Sequence, residues 1–343
     1  MAQGAGGERM QEFIREFVLK EIEHDFGEVP LGALDDAAVI EDIVFTTDSY
    51  TVKPLFFPGG DIGTLAVAGT VNDVSVMGAR PFALSCGMII EEGFSKEDLH
   101  RIMSSMNRTS KSAGVRIVTG DTKVVEKGAA DQLFINTSGI GRRSEYLDSN
   151  VERVRKAREF RWNWPNDSAL ADGDALIISG SIGNHGVALL SFREGYGFET
   201  ELETDAAPLN HLIEAAIRVG GVTAMKDPTR GGVANLLNEW AEKSGVGLVV
   251  REEDLPIDEP VIAACEMLGI DPLEIGNEGK VVLSVVPEAA EEVLAAVRSL
   301  PEGKNARIIG RASREVEGVL LETHTGGRRL IEPPVGDPVP RIC

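Results

Sequence analysis

The sequence has 343 residues, 43% of them hydrophobic, with a formal net charge of -21 and a pI near 4.7. This length predicts two domains of about 150 residues each, and the charge argues against nucleic acid or an anionic membrane as a partner. Because the sequence has neither a membrane-length apolar run nor an export signal, we expect a cytoplasmic protein.

The first part of the sequence predicts an N-terminal mixed α/β domain at 1–145. A flexible "QGAGG" loop precedes an amphipathic helix over 10–26. Alternating apolar patterns then predict strands near 38–49, 81–90, 115–120 and 131–140, and helices near 61–79 and 95–114. Ser95 and Asp98 form a capping-box signal for the last helix, and Gly114 marks its end.

The second part of the sequence predicts a linker, another mixed α/β domain and a tail. The charged segment 146–172 is taken as the linker, with a short helix near 151–160. The second domain, at 173–331, is expected to have helices near 186–194, 208–219, 231–244, 260–268 and 288–300, between strands near 174–180, 245–250, 280–286, 306–312 and 318–325. Neither half contains a GxGxxG or GxxxxGK[ST] loop.

The predicted tail, 332–343, reads "EPPVGDPVPRIC". Its prolines favour extended, solvated backbone, so we expect a semi-rigid arm. It ends in one of three cysteines, a number too small for a disulfide framework or a CxxC metal site. Cys86 and Cys265 lie in apolar patterns and are interpreted as small core residues, whereas Cys343 has no such context.

Asp73 is the most unusual internal residue, because it follows Asn72 in the middle of an otherwise apolar predicted helix. A buried carboxylate needs a partner, which is either a hydrogen bond from a neighbouring loop or a cation. Further acids stand at predicted strand ends and turns, where each alone would be ordinary: Asp35, Asp36, Asp48, Asp121 and Asp227. Oxygen ligands without a His/Cys cluster favour Mg²⁺, which commonly shares its ligands with phosphates.

The segment "DPTRGG" at 227–232 precedes a predicted helix, so its backbone N–H groups would face an anion. Gly231 and Gly232 permit close approach, and Arg230 can bind phosphate oxygens. The alternative is a glycine-rich turn with a solvent-facing arginine.

Three other residues are candidates for chemistry, each with a simpler interpretation. Lys123, in "TGDTKVV", would meet a nucleotide phosphate but is uninformative alone. His185 would be a catalyst or a helix cap. Glu278, in "GNEGK", would serve as an acid or base, or would only mark a hairpin entry.

Taken in order, the motifs "LDDAAV", "TTDSY", "GTVNDVSVMGARP", "TGDTKVV", "INTSGIG", "SGSIGNHG", "DPTRGG", "NEGK" and the final "PRIC" resemble the HypE family of hydrogenase-maturation carbamoyl dehydratases. The resemblance covers nearly the whole chain. Most of these motifs are shared with the wider aminoimidazole ribonucleotide synthetase and selenophosphate synthetase superfamily, and "PRIC" singles out HypE. It implies two α/β domains, an N-terminal domain that binds ATP and pairs in a homodimer, and a flexible tail.

The resemblance also implies an activity. Such proteins accept a carbamoyl group on the C-terminal cysteine from the carbamoyltransferase HypF and use ATP to dehydrate it to a thiocyanate. The cyanide then passes to iron on the HypC–HypD scaffold complex. Arg341 suggests that the tail docks on an acidic surface whose position the sequence does not give.

The expected site residues follow from these motifs. Cys343 would carry the substrate group, and Glu278 would be the base, with Asp73 and His185 as weaker candidates. Lys123 and Arg230 would balance the charge of the transferred phosphoryl group. Mg²⁺ would be held by Asp36, Asp48, Asp73 and Asp227. Nucleotide binding is expected at Asp36, Asp48, Asn72, Asp121, Thr122, Arg230, Gly231 and Gly232.

Two features depart from the family pattern. The opening loop has "QGAGG" where the family usually has "HGSGG", so only a backbone role for Gly4, Gly6 and Gly7 carries over. The linker from 153 to 164 does not match. Two other functions stay open at this stage: a superfamily synthetase or kinase acting on a diffusible substrate, and a non-catalytic carrier of a modified thiol.

Overall fold

A computed structural model describes residue 10 and residues 12–193, 201–334, 336 and 338–343. The predicted loop with Gly4, Gly6 and Gly7 lies outside these residues. Among the helices that are described, none is both long enough and apolar enough to span a membrane.

The first half of the chain forms a five-stranded sheet in the order β1-β2-β7-β5-β6. Its strands are β1 Ala38–Ile40, β2 Ile43–Tyr50, β5 Ala79–Glu91, β6 Arg116–Val125 and β7 Leu133–Arg143, and a separate small hairpin joins β3 Phe56–Phe57 to β4 Gly60–Asp61. Neighbouring strands are antiparallel except β5 and β6, which a helix connects. The single strand expected near 38–49 is two strands, because Glu41 and Asp42 adopt positive φ and turn the chain.

Two helices, α1 Ile62–Val76 and α2 Lys96–Ala113, cover one face of this sheet. α1 is buried almost throughout, which explains its apolar sequence. The predicted cap is confirmed for α2: Ser95 accepts a hydrogen bond from the Asp98 N–H, and Gly114 ends the helix in the left-handed conformation. The other face of the sheet exposes four large apolar side chains: Ile43, Phe45, Phe82 and Ile89.

The second half forms a seven-stranded sheet in the order β14-β13-β10-β12-β8-β11-β9. Its strands are β8 Ala175–Ile178, β9 Val222–Lys226, β10 Gly247–Arg251, β11 Val282–Val285, β12 Arg307–Ser313, β13 Val319–Glu322 and β14 Arg328–Ile331. The helices of this half are α4 Asn184–Phe192, α5 Asn210–Val219, α6 Gly232–Ser244, α7 Glu259–Leu268 and α8 Ala290–Arg298. Residues on α5 and α8 pack on one face of the sheet and residues on α6 on the other, which confirms the mixed α/β class.

The five helices of the second half begin and end within about two residues of the expected positions. One element near each end of the chain differs from its prediction. The amphipathic pattern over 10–26 gives only a short helical segment centred on Ile14–Val18, and β14 was not expected, because "RRLI" has no apolar alternation.

The connecting segment contains α3, Leu147–Ala157, which starts four residues before the predicted helix. Asn150 on α3 is buried, and its side chain makes hydrogen bonds that join α3 to the second sheet. Its Nδ2 donates to the Val222 carbonyl at 2.9 Å, and its Oδ1 accepts from the Val222 N–H at 2.8 Å. The domain limits 1–145, 146–172 and 173–331 remain predictions.

The last residues of the sequence lie inside the protein. Val339, Ile342 and Cys343 are buried in the same apolar cluster as residues of α1 and α2. The expected solvated backbone therefore does not describe this end of the tail, because the apolar side chains of Val339 and Ile342 pack beside Gly186.

We expect Asn150→Ala to lower the free energy of unfolding by about 2 kcal/mol, because it leaves a buried N–H and a buried carbonyl of Val222 without partners. Urea titration followed by circular dichroism measures this loss. Asn107→Ala on the exposed side of α2 is the control and should stay within about 0.5 kcal/mol of the parent protein. Equal stability of the two variants would contradict this role for Asn150.

Candidate active site

A cavity of about 460 Å³ lies between the two halves of the chain. All four acids expected to hold Mg²⁺ line it: Asp36, Asp48, Asp73 and Asp227. Arg230, Gly232 and Cys343 also line it. The structure therefore brings together residues that are far apart in the sequence and that the motifs had assigned to one site.

Each acid is placed by a defined element. Asp48 lies on β2 and Asp73 on α1, so both belong to the packed side of the first sheet. Thr46, on β2, lies with its Oγ1 3.1 Å from Asp73 Oδ2 and 3.0 Å from the Asp36 carbonyl. Asp227 follows the last residue of β9 directly. Both halves of the fold are needed to assemble these carboxylates.

The carboxylates of the cavity repel one another. Burial and the charges of Asp227 and Asp48 raise the pKa of Asp73 well above its ordinary value. Burial and Asp36 raise the pKa of Asp227 to about 7. Burial also raises the pKa of Asp36, although Lys226 opposes the shift. A cation bound among these groups would relieve the repulsion and restore their ionised forms.

Two buried lysines balance part of this negative charge, and sequence reasoning missed them. Lys226 Nζ lies 2.8 Å from Asp36 Oδ1 and 3.3 Å from Asp167 Oδ2. Lys243 Nζ lies 2.7 Å from the same oxygen of Asp167 and 3.1 Å from Asp35 Oδ1. Although burial favours the neutral form, the two lysines hold the pKa of Asp167 below its usual range. The only sequence signal for either lysine is that Lys226 directly precedes Asp227 in "MKDPTRGG".

The carboxylates of the cavity are of the ligand type that hard cations prefer, but they do not form a complete set of metal ligands by themselves. Within the part of the chain that the structure describes, no three His, Cys, Asp or Glu side chains converge closely enough to hold a metal ion. Acids that line one cavity without converging suit a cation that takes its remaining ligands from phosphate oxygens and water.

The N-terminus of α6 forms the side of the cavity where phosphate binding is expected. Gly231 and Gly232 have φ of 76° and 60°, a conformation that favours glycine. A Cβ at Gly232 would lie 2.5 Å from the carbonyl oxygens of Leu273 and Ile275, so this turn excludes any side chain there. Of the pair, only Gly232 lines the cavity.

Glu278 lies in the loop before β11, where it is buried and is not among the residues that line the cavity. Burial and the charges of Asp227 and Asp48 raise its pKa well above the ordinary value, so it stands close to the acid cluster. Its backbone N–H donates to Asp205, which is paired with Lys280 at 3.0 Å. Among the described residues its buried Oε1 has no hydrogen-bond partner.

Cys343 is 6% exposed and lies at the cavity. His185 does not line the cavity but contacts the residue before it, with Nε2 3.0 Å from the Ile342 carbonyl and Nδ1 2.7 Å from Thr204 Oγ1. Since a carbonyl only accepts, Nε2 carries the proton and donates. Burial lowers the pKa of His185, which favours this neutral form. The geometry thus gives His185 a role in holding the tail.

Asn72 is buried outside the cavity and its amide is fully used by the fold. Its Nδ2 donates to the Ala207 carbonyl at 3.1 Å, and its Oδ1 accepts from the Leu209 N–H at 2.7 Å. The structure therefore gives it a role in joining α1 to the start of α5, because both polar atoms of the amide have backbone partners.

Asp121, Thr122 and Lys123 also lie outside the cavity, on the exposed edge strand β6. Lys123 pairs with Asp121 at 2.8 Å. The strand register places Lys123 opposite Ile89, on the open face of the sheet, whereas Asp48 lies opposite buried Thr137 on the packed face. β7 and β5 separate β2 from β6, and Lys123 does not line the cavity of its own chain.

Comparison with known families covers both halves of the chain. Residues 34–143 match the family model "AIR synthase related protein, N-terminal domain", and residues 171–321 match the corresponding C-terminal domain. A putative hydrogenase expression/formation protein of Methanocaldococcus jannaschii is 50% identical over 99% of this chain and 98% of its own length. Carbamoyl dehydratase HypE of Rhizobium leguminosarum bv. viciae is 45% identical over 100% of this chain and 94% of its own.

Two solved structures are similar over the whole fold. A HypE–HypF complex contains a chain that is 45% identical, with a TM-score of 0.84 and coverage of 95% of this chain and 99% of that one. HypE in complex with ATP is 43% identical, with a TM-score of 0.80 and coverage of 99% and 98%. With two matching domains and this identity over its full length, the chain belongs to the HypE family of carbamoyl dehydratases.

Proposed function

We propose that this protein dehydrates an S-carbamoyl group on its own Cys343 to a thiocyanate at the expense of ATP, and so supplies the cyanide ligand for the iron of a [NiFe]-hydrogenase. One observation carries the proposal: Cys343 lines the same cavity as the four acids and Arg230. The relatives named carbamoyl dehydratase and the ATP complex of a similar chain support it.

The reaction balances as follows. The carboxamide oxygen attacks the γ-phosphorus of ATP, and ADP leaves. The nitrogen then loses two protons as the C≡N bond forms, and the C–O bond breaks to release phosphate. The sum is a thiocyanate, ADP and phosphate, and the sulfur keeps its bond to carbon throughout.

Residues in and around the cavity would bind the metal ion, bind the phosphates and orient the acids. Mg²⁺ held by Asp36, Asp48, Asp73 and Asp227 would neutralise phosphate charge when bound with ATP. Arg230 and the N–H groups at the start of α6 would bind phosphate oxygens. Lys226 and Lys243 keep Asp36 and Asp167 in fixed positions, so the acids of the cavity are oriented before the nucleotide arrives.

Glu278 is the candidate that accepts the amide protons. A base must be within reach, unpaired and sufficiently basic. The buried Oε1 of Glu278 makes no hydrogen bond to any described residue, and its raised pKa makes its carboxylate a stronger proton acceptor than an exposed glutamate. His185 is less suitable, because both ring nitrogens have partners.

The tail must also visit other proteins. A dozen residues can reach roughly 35 Å when extended, so Cys343 would receive its carbamoyl group outside the cavity from HypF and later deliver cyanide to a HypC–HypD scaffold. A solved complex of a similar chain with HypF supports the first of these partners. We place these reactions in the cytoplasm.

We also propose that the protein works as a homodimer, paired through the open face of the first sheet. Four exposed apolar side chains on that face suit a second copy: Ile43, Phe45, Phe82 and Ile89. Lys123 lies beside Ile89 on this face, so a partner protomer would bring Asp121, Thr122 and Lys123 to a nucleotide in a cavity that they do not line in their own chain.

Cys343→Ala is expected to abolish ADP release in the presence of a carbamoyl donor, because it removes the substrate sulfur. In the parent protein, intact mass should show ATP removing one water from the S-carbamoylated chain. Cys265→Ala, which removes another buried thiol, should keep the reaction. Undiminished ADP release by Cys343→Ala would indicate a diffusible substrate, and an unchanged mass would indicate a carrier.

Glu278→Gln is expected to slow thiocyanate formation by about a hundredfold or more while ATP still binds, because an amide cannot accept the protons. Single-turnover mass spectrometry and nucleotide titration measure the two effects separately. Glu266→Gln, at an exposed position on α7, is the control. Full turnover by Glu278→Gln would remove this residue as the base.

Lys123→Ala and Cys343→Ala should each be inactive alone, yet active when mixed and allowed to exchange subunits. In a mixed dimer, the protomer with Cys343 receives Lys123 from its neighbour, so an equal mixture should regain about a quarter of the parent activity. ADP release measures the recovery. A mixture as inactive as its components would contradict the role of Lys123 in a second protomer.

A further inference from the structure

The docked tail is held mainly through its backbone. The Thr51 N–H donates to a main-chain oxygen of Cys343 at 2.9 Å, and the Lys53 N–H lies 3.4 Å from the Arg341 carbonyl. Ile342 fills a space where Gly276 leaves room, since a Cβ there would lie 2.8 Å from its Cδ1. These contacts fix the path of the tail along the segment after β2.

Arg341 is the one charged side chain among the last three residues, and it is held on both sides. Its Nε donates to the Thr51 carbonyl at 2.7 Å, and its Nη1 donates to Asp131 Oδ2 at 2.6 Å. Its φ of 53° lies in the left-handed region, which is costly for an arginine. The backbone therefore bends at the point where the side chain reaches Asp131.

Asp131 belongs to the turn between β6 and β7, and that turn is organised independently of the tail. The Glu91 carboxylate accepts from the Gly128 N–H at 2.6 Å and from the Gln132 N–H at 3.0 Å. These two bonds hold the pKa of Glu91 below its usual range. Asp131 therefore lies on a turn that these hydrogen bonds hold in place. It also pairs with Lys53 at 2.8 Å.

The pair of Arg341 and Asp131 lies at the protein surface, with side chains 35% and 32% exposed. The thiol end of the tail is buried, whereas the Arg341 side chain stays accessible to solvent. Water and salt weaken such an ion pair far more than a buried one. It can therefore be broken and remade without disturbing the acids of the cavity.

We propose that Asp131 is a positioning residue that latches the tail: its pairing with Arg341 holds Cys343 at the cavity, and loss of the pair releases the thiol. Only the purpose of this release rests on the proposed function: a released Cys343 could meet its carbamoyl donor and its cyanide acceptor. The latch itself is a property of the unmodified protein.

The test is the rate at which iodoacetamide alkylates Cys343 in the folded protein, followed by peptide mass spectrometry. Asp131→Asn should raise this rate about fivefold or more, because the charge that holds Arg341 is gone. Cys86 and Cys265 are buried thiols in the same molecule, and their rates should not change. Lys53→Met, which removes the other partner of Asp131 and keeps the latch, should have a much smaller effect.

Two further measurements separate a latch from general loosening. Raising the salt concentration should speed alkylation of Cys343 in the parent protein but not in Asp131→Asn. Arg341→Met, which also removes the bond to the Thr51 carbonyl, should raise the rate at least as much as Asp131→Asn. Adding Asp131→Asn to Arg341→Met should produce no further increase.

Equal alkylation of Cys343 in the parent and Asp131→Asn proteins would overturn the latch, as would fully additive effects of the two substitutions. If Asp131→Asn exposes all three cysteines, Arg341→Met decides the matter, because it changes only the tail, and an unchanged Cys343 rate in that variant would overturn the latch. Alkylation needs neither ATP nor a carbamoyl donor, so failure of the dehydration reaction would leave this result unaffected.

Discussion

The rest of the site depends on one electrostatic constraint: several carboxylates are held around one partly buried cavity. Burial and mutual repulsion raise the pKa of Asp73 and Asp227, and they do the same to Glu278 nearby. Lys226 and Lys243 compensate one side of the cluster through Asp36 and Asp167. Around Asp73, Asp227 and Glu278 the carboxylates still repel one another, which is the condition under which a cation bound with a polyphosphate would be stabilised.

The same constraint explains why the substrate would be attached to the protein. A thiocarbamate that diffuses freely has no charge by which this acidic cavity could hold it. A substrate group on Cys343 is instead brought in by backbone hydrogen bonds to Thr51 and by burial of Ile342. Tethering supplies the concentration that affinity would otherwise have to provide. Arg341 connects this arrangement to the surface, where its pairing with Asp131 is open to salt and to partners.

The sequence predicted the fold class, most helices and four of the acids that line the cavity, because apolar periodicity and an Asp at a strand end or within an apolar helix are local signals. It could not predict Lys226, Asp167 or Asp131, whose roles arise only where distant segments meet. For Asn72 the motifs implied nucleotide binding. The fold adds a structural role that the motifs do not contain, because its amide bonds to the backbone at Ala207 and Leu209. Likewise, the strand register, which the motif does not contain, places Lys123 on the open face.

In the proposed reaction, the carboxamide oxygen on Cys343 is the atom that takes up the γ-phosphoryl group. The most direct measurement uses protein carbamoylated on Cys343 with an ¹⁸O-labelled carboxamide, followed by a single turnover with unlabelled ATP. The released phosphate should contain one ¹⁸O atom and the protein should carry an unlabelled thiocyanate, as seen by mass spectrometry of both products. Unlabelled phosphate, with the ¹⁸O retained on the protein or released as water, would contradict the proposed reaction.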